Sequence, residues 1–337
     1  VRVLLTRLSA LGDIVHTWPL AEALTRGEHP VELAWAVEEP FLPLVARHPC
    51  VALAIPVATR RWRRRPLSAE TRRAFEEARR SARSFSPDLA LDPQGLLKSA
   101  AWGVLSGARD RIGLARAFRR ETLAGVCYTR TVTPPPGTRH VIDINLSLAG
   151  ALGLASTAGA TPDGRFLLRA QDRAPGPQAV VLLPATGGRG KAWPVGSYAA
   201  LARELATRGS HVCVAWGPGE RPLAEAVVGG AGGGASLTPP TTLLELASLL
   251  AGSAAVVGGD TGPVHLAAAL GVATTAVFVA TDPERNGPRG RRVRIVSSAR
   301  SGEHARRARS GALREIPVDE VLDAVMELLG ERTLVAR

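Results

Sequence analysis

Short apolar runs alternate with amphipathic and glycine-opened segments along almost the whole chain, and that alternation narrows the fold to one class. Residues 2–6 predict a strand and 13–26 a helix; 31–37 and 51–57 predict strands, and a charged helix follows at about 68–84. Strand 88–92 leads through Pro93-Gln94-Gly95 into a helix at 95–105, and a helix at 140–152 follows the turn Pro134-Pro135-Pro136-Gly137. The pattern then restarts. Strand 179–184, helix 195–208, strand 211–216, helices 219–229 and 241–251, strand 254–258, helix 262–270, strand 274–279 and helix 317–330 succeed one another, with 282–316 reading as mostly irregular. Strands that alternate with helices imply parallel sheets covered on both faces. The expected fold is therefore α/β, with two Rossmann-like, doubly wound domains facing a cleft and ligands at the carboxyl ends of the strands.

At 337 residues the chain has material for two cores. The Pro- and Gly-rich stretch 170–178 reads as the linker. It separates an N-terminal domain, 1–170, from a C-terminal domain, 178–316, and the helix at 317–337 is expected to pack back on the first domain. The opening Val-Arg-Val-Leu-Leu reads as a buried strand, not a secretory leader, and no run is long enough to span a bilayer, so a cytoplasmic enzyme is expected. The three cysteines, Cys50, Cys127 and Cys213, are far apart and odd in number, which suits neither a disulfide framework nor a zinc site.

Charge narrows the partner. Lys+Arg number 42 against 30 Asp+Glu, a net charge of +12, which points to an anionic partner. The excess is local: residues 60–83 hold ten Arg and three Glu, and residues 285–314 hold ten Arg and one Glu. In the first patch Arg60-Arg61-Trp62-Arg63-Arg64-Arg65 is denser than solubility requires, and guanidinium forks suit phosphate or carboxylate. A solvated helix face is the plainer alternative. Only Lys98 and Lys191 remain as lysines; they mark places where a compact ammonium is needed or are chance survivors among interchangeable surface positions.

Three loops carry chemistry. The first, Ser9-Ala10-Leu11-Gly12-Asp13, is neither a dinucleotide nor a P-loop signature; Asp13 at its end is a helix cap or a catalytic base. The second, Pro184-Ala185-Thr186-Gly187-Gly188-Arg189-Gly190-Lys191, has the hydroxyl, the open backbone and the cation of a phosphate cradle, or is a flexible turn. The third, Gly259-Asp260-Thr261-Gly262-Pro263-Val264-His265, starts a helix whose free N–H groups make an anion site, with Asp260 as the alternative N-cap. Its single Asp-Thr-Gly excludes an aspartic protease, which needs two. Glu220, at the end of a strand, can take ribose hydroxyls or serve as a first-turn helix acid.

Together these segments resemble glycosyltransferase family 9, the ADP-heptose:lipopolysaccharide heptosyltransferases. The carriers are S-A-L-G-D-I-V-H-T-W-P at 9–19, A-W-A-V-E-E at 34–39, I-P-V-A-T-R-R-W-R-R at 55–64, L-D-P-Q-G-L-L-K-S-A at 91–100, K-A-W-P at 191–194, D-T-G-P-V-H-L-A-A-A at 260–269 and T-D-P at 281–283. V-E-E and R-R-W-R resemble the heptosyltransferase I branch, which adds the first heptose to Kdo-lipid A. The resemblance implies a GT-B fold and an inverting, metal-independent transfer with no cofactor beyond ADP-heptose as co-substrate. It implies Asp13 as general base, with Lys191 facing the departing diphosphate. It implies a donor site at Thr186, Gly187, Lys191, Glu220, Asp260, Thr261, Gly262 and His265, and an acceptor site at Arg60, Arg61, Arg63, Arg64 and Lys98. It also implies a monomer in peripheral contact with the cytoplasmic face of the inner membrane. Where that family often carries two consecutive threonines, this chain has Thr186-Gly187. Two rivals are a heptosyltransferase II-like or other family 9 enzyme, and a basic nucleic-acid binder. The second lacks any recognition motif, and aromatics are only 4% of the chain, too few for a stacking surface.

Overall fold

The structure, a computed structural model, describes residues 1–26, 31–154, 159–168, 179–187, 190, 192–299, 303 and 314–335. It divides into two compact units, Val1–Pro162 and Asp163–Arg337. In the first, β1 (Arg2–Thr6), β2 (Glu32–Glu38), β3 (Leu53–Val57), β4 (Leu89–Asp92), β5 (Asp110–Leu114) and β6 (Arg130–Val132) form a parallel sheet ordered β3-β2-β1-β4-β5-β6. Leu4 of β1 lies opposite Ala34 on one side and Ala90 on the other. These residues join Ile55, Ala82 and Trp102 in the core beneath the helices Ala69–Ser84 and Leu97–Ser106. Strands buried on both faces need apolar residues at consecutive positions, which is why these runs do not alternate. Strand order reverses between β1 and β4, and the carboxyl ends of strands at such a reversal are where ligands are expected.

The helix expected over 13–26 is two helices, Leu11–Val15 and Trp18–Thr25. Pro19 sits in the first turn of the second, where its missing N–H costs nothing. The helix expected over 140–152 is α-helical over Val141–Leu146 and tightens into a 3₁₀ stretch, Ser147–Leu152.

The second unit repeats the topology. β7 (Val180–Leu183), β8 (Val212–Val214), β9 (Ser236–Leu237), β10 (Ala255–Gly259), β11 (Ala273–Phe278) and β12 (Val293–Ser297) run parallel in the order β12-β11-β10-β7-β8-β9. The reversal here falls between β7 and β10. A Cβ at Gly258 would lie 2.7 Å from Val264 Cγ2 and 2.9 Å from Leu183 Cβ, so only glycine lets the following helix sit this close to the sheet.

The terminal helix, Val318–Val335, belongs to the second unit, where it packs on β10, β11 and β12 and on the helix Val195–Thr207. Its Val321, Leu322, Val325 and Leu328 recur at helical spacing and bury among Leu182, Val257 and Val277. Within the segment 282–316 the described residues also include β12 and a short helix, Pro283–Asn286. Part of its arginine excess is structural: Arg292 Nη2 donates to Leu328 O at 2.5 Å, Arg294 to Glu327 at 2.6 Å, and Arg314 holds both Glu320 oxygens at 2.7 Å. The division between units precedes the expected linker, because Gly164 N donates to Ala269 O and ties 163–168 to the second unit. The linker 170–178 itself lies outside the described residues. Among those described, no helix is long and apolar enough to cross a membrane.

Candidate active site

In the first unit, the loops after β1, β4 and β5 meet around Asp13. This residue is the third of the helix Leu11–Val15 and not its cap; its carboxylate reaches back to accept from Ala10 N–H at 3.3 Å. Arg7, buried in the loop after β1, donates Nη2 to Asp13 Oδ1 at 2.7 Å and Nη1 to Pro93 O at 2.7 Å. Arg120, from the loop after β5, reaches Oδ2 at 3.2 Å from an exposed position. Burial pushes the Asp13 carboxyl up, but the Arg7 and Arg120 guanidinium groups and the Ala10 N–H outweigh it and hold it below the usual carboxylate range. Asp13 is thus ionised at neutral pH.

The loop after β4 is pinned from beneath. Asp92 Oδ1 accepts from Gln94 and Gly95 N–H at 2.9 and 3.2 Å, and its Oδ2 accepts from Ser99 at 2.9 Å and Tyr128 at 2.7 Å. Burial raises the Asp92 carboxyl in spite of these bonds. Gln94 Oε1 takes the Leu8 N–H at 2.7 Å, so the β1 and β4 loops clasp each other. Gly95 has φ +67°, and a Cβ there would fall 2.6 Å from Arg119 Cβ, which makes glycine obligatory.

At the end of β2, buried Glu38 accepts from Thr59 Oγ1 and lies 3.9 Å from Lys98 Nζ. Thr59 begins the helix Thr59–Arg64, which carries the arginine cluster. Arg60, Arg63 and Arg64 are exposed; Arg61 is engaged by Glu39 at 2.8 Å and Glu70 at 2.9 Å. Trp62 does not sit among the guanidinium forks. It points inward, edge-on to Phe75 at 5.5 Å and tilted against Trp102 at 6.2 Å.

In the second unit the candidate donor residues follow adjacent strands. Thr186 and Gly187 follow β7; Asp260, Thr261 and Gly262 follow β10. Thr261, not Asp260, occupies the N-cap of the helix Gly262–Ala269, and its hydroxyl makes no cap bond. Asp260 Oδ1 is instead 3.5 Å from Nε2 of buried His265. The Thr186, Thr261 and Thr281 hydroxyls are buried with no partner among the described residues. They follow β7, β10 and β11, three neighbouring strands, at the end of the sheet where a ligand is expected. An unpaired buried hydroxyl costs roughly 1–3 kcal/mol, and an anionic ligand removes that cost. Glu220 caps the helix Arg221–Gly230, with its carboxylate on Gly217 N–H at 2.8 Å, so a ribose would have to share it. Lys191 lies outside the described residues.

Arg7, Glu38, Gln94, Arg120 and Thr281 were not singled out as site residues from the sequence. Thr281 carried a signal, since it opens the T-D-P segment at a strand end. Arg120 carried none: it pairs with a residue 107 positions away.

Comparison with known proteins agrees with this geometry. The family Glycosyltransferase family 9 (heptosyltransferase) matches residues 77–314. The lipopolysaccharide heptosyltransferase 1 of Pseudomonas aeruginosa is 36% identical over 86% of this chain and 82% of its own length. The enzyme of the same name from Escherichia coli K12 is 32% identical over 89% and 94%. Among solved structures, E. coli heptosyltransferase WaaC with ADP superposes with a TM-score of 0.83 at 28% identity, over 97% of this chain and 100% of that one. E. coli ADP-heptose lps heptosyltransferase II, at 20% identity and a TM-score of 0.78, shares the fold. A family match across most of the chain, relatives above 30% identity along nearly its full length and twin Rossmann-like sheets converge: the chain is a glycosyltransferase and belongs to glycosyltransferase family 9.

Proposed function

We propose that the enzyme moves L-glycero-D-manno-heptose from ADP-heptose to the Kdo of Kdo-lipid A, an early step in building the lipopolysaccharide core, with inversion at the anomeric carbon. The observation that carries this reading is Asp13: a carboxylate kept ionised at the carboxyl end of β1, beside the strand-order reversal. A nucleotide sugar already holds a good leaving group. What remains is to take the proton from an acceptor hydroxyl on one side and to stabilise diphosphate charge on the other. Asp13 takes the proton as the hydroxyl oxygen attacks the anomeric carbon, and the carbon–oxygen bond to ADP breaks in the same displacement.

The charge on the departing ADP falls to Lys191, the Thr186 and Thr261 hydroxyls and the N–H groups opening the helix at Gly262, with Gly187 giving the backbone room to approach. Asp260 and His265 border this site, and Glu220 turns toward the ribose. Arg60, Arg63 and Arg64 meet the anionic groups of the acceptor, with Arg61 and Lys98 behind them. The reaction needs no metal ion and no cofactor besides the sugar nucleotide. The enzyme works as a monomer at the cytoplasmic face of the inner membrane, where its lipid-linked acceptor lies.

The test is transfer from ADP-heptose to purified Kdo-lipid A in the presence of EDTA, with the product weighed by mass spectrometry. A gain of one heptose on Kdo supports the reading. Transfer only to an acceptor that already carries heptose points to the heptosyltransferase II-like alternative, and no transfer to either rejects both.

A further inference from the structure

We propose that Arg7 is a positioning residue for the general base: its guanidinium bridges the β1 and β4 loops and fixes the Asp13 carboxylate at the angle and in the ionised form that the transfer requires. The proposal rests on Asp13 being the base.

Four observations carry it. Arg7 is 2% exposed, and an arginine is almost never buried so deeply without a specific task. Its two terminal nitrogens point to different loops, Nη2 to Asp13 Oδ1 and Nη1 to Pro93 O, each at 2.7 Å, while Nε has no partner among the described residues. The planar fork therefore sets one rigid distance between the Asp13 carboxylate and the β4 loop. That loop is itself fixed by Asp92 through Gln94 and Gly95 N–H and by the Gln94–Leu8 bond. Finally, the second cation on Asp13 is of another kind. Arg120 is 59% exposed and single-pronged, free to exchange with solvent or substrate, whereas Arg7 is 3% exposed on its side chain.

The electrostatics give the expected sign. Among the described residues, the groups facing Asp13 are Arg7 from the β1 loop, Arg120 from the β5 loop and the Ala10 N–H; His16 stands one turn along the same segment. Burial is the largest single influence on the Asp13 carboxyl and acts upward; Arg7 is the largest acting downward. Without the buried cation, the largest downward influence is gone and the carboxyl moves upward, with Arg120 and the Ala10 N–H still opposing burial. A protonated Asp13 cannot accept the hydroxyl proton, so activity should become acid-sensitive where the parent's is not.

The experiment compares Arg7→Gln with Arg7→Lys by kcat against pH from 5 to 8, alongside Asp13→Asn and ADP affinity. Glutamine keeps a hydrogen-bonding arm but removes the charge. We expect parental kcat to stay level across this window. That of Arg7→Gln should decline toward the acid end of this window, by about tenfold for each pH unit below the raised titration point of the carboxyl. Arg7→Lys should keep the level profile but lose severalfold in kcat, since one ammonium does not reproduce the fork; KM for the donor and ADP affinity stay parental. A level profile in Arg7→Gln overturns the proposal. If that variant does not fold, Arg7→Lys decides: reduced kcat on a level profile supports the proposal, and parental kcat overturns it. Asp13→Asn keeps the two readings apart. If it retains parental kcat, the base assignment itself fails; if it is inactive while Arg7→Gln stays level, only the role of Arg7 fails.

Discussion

The two units have the same strand order and opposite polar economies at their ligand ends. In the first, the site carboxylates are already answered. Asp13 holds two arginines, Glu38 holds Thr59 and faces Lys98, and Arg61 holds Glu39 and Glu70. In the second, three threonine hydroxyls are buried at neighbouring strand ends with no partner among the described residues. A base must be ionised and aimed before its substrate arrives, so its partners belong to the protein. A site for a leaving diphosphate gains most from donors that no protein group occupies, since each then adds its full hydrogen bond to the ligand.

The largest effect that would break this contrast concerns Asp13. Asp13→Asn should fold, bind ADP with parental affinity, and lose on the order of 10²–10⁴ in kcat, the range for a missing general base. Near-parental kcat at an unchanged thermal midpoint would reduce Asp13 to a backbone brace, because Asn accepts the Ala10 N–H equally well. On the other unit, Thr261→Val should weaken ADP binding about ten- to a hundredfold, the worth of a hydrogen bond to a charged group. The same change should leave the ligand-free midpoint unchanged or raised, since it deletes an unpaired buried hydroxyl; a lowered midpoint would show that the hydroxyl is already satisfied. Calorimetric ADP titration and a melt read both.

Smaller effects sharpen the comparison. Arg60→Ala and Arg63→Ala should each raise acceptor KM severalfold with ADP affinity unchanged, as expected for exposed charges. Added salt should do the same by screening. Parental KM at low salt in the double variant would leave the cluster as a solvated face. Smallest is the clamp on the terminal helix. Hydrogen bonding from Arg314 lowers the Glu320 carboxyl below its ordinary 4.5. Its contribution to stability is thus present above pH 4.5 and lost as pH falls through the lower folded value. Both side chains are over two-fifths exposed, so Glu320→Gln should cost no more than about 0.5 kcal/mol at pH 7 and progressively less as pH falls through the lower folded value.

The strands that cross both cores were legible because burial on two faces demands unbroken apolar runs, and the site loops because glycines and a lone acid interrupt those runs where strands end. β5, β6, β9 and β12 were not singled out. β6, β9 and β12 are edge strands, and Arg111, Arg130 and Arg294 break the apolar signal of β5, β6 and β12. Asp13 was legible as a candidate, but its partners were not, since Arg7 is a single cation after a strand and Arg120 arrives from a distant loop. The inward placement of Trp62 was not legible for a related reason: sequence shows neighbours along the chain, and a helix sends consecutive side chains to different faces.

That inward tryptophan bears on the thermodynamics of acceptor capture. The helix Thr59–Arg64 has six residues, too few to persist by itself in water. Its indole, lodged between Phe75 and Trp102, keeps the backbone ordered before any anion arrives. Capture then immobilises arginine rotamers alone, at about 0.5–1.5 kcal/mol for each side chain held. Cutting Trp62 to alanine would turn a standing platform into one that must fold as it binds, and calorimetry would register the change as a more negative binding entropy with the arginines themselves untouched.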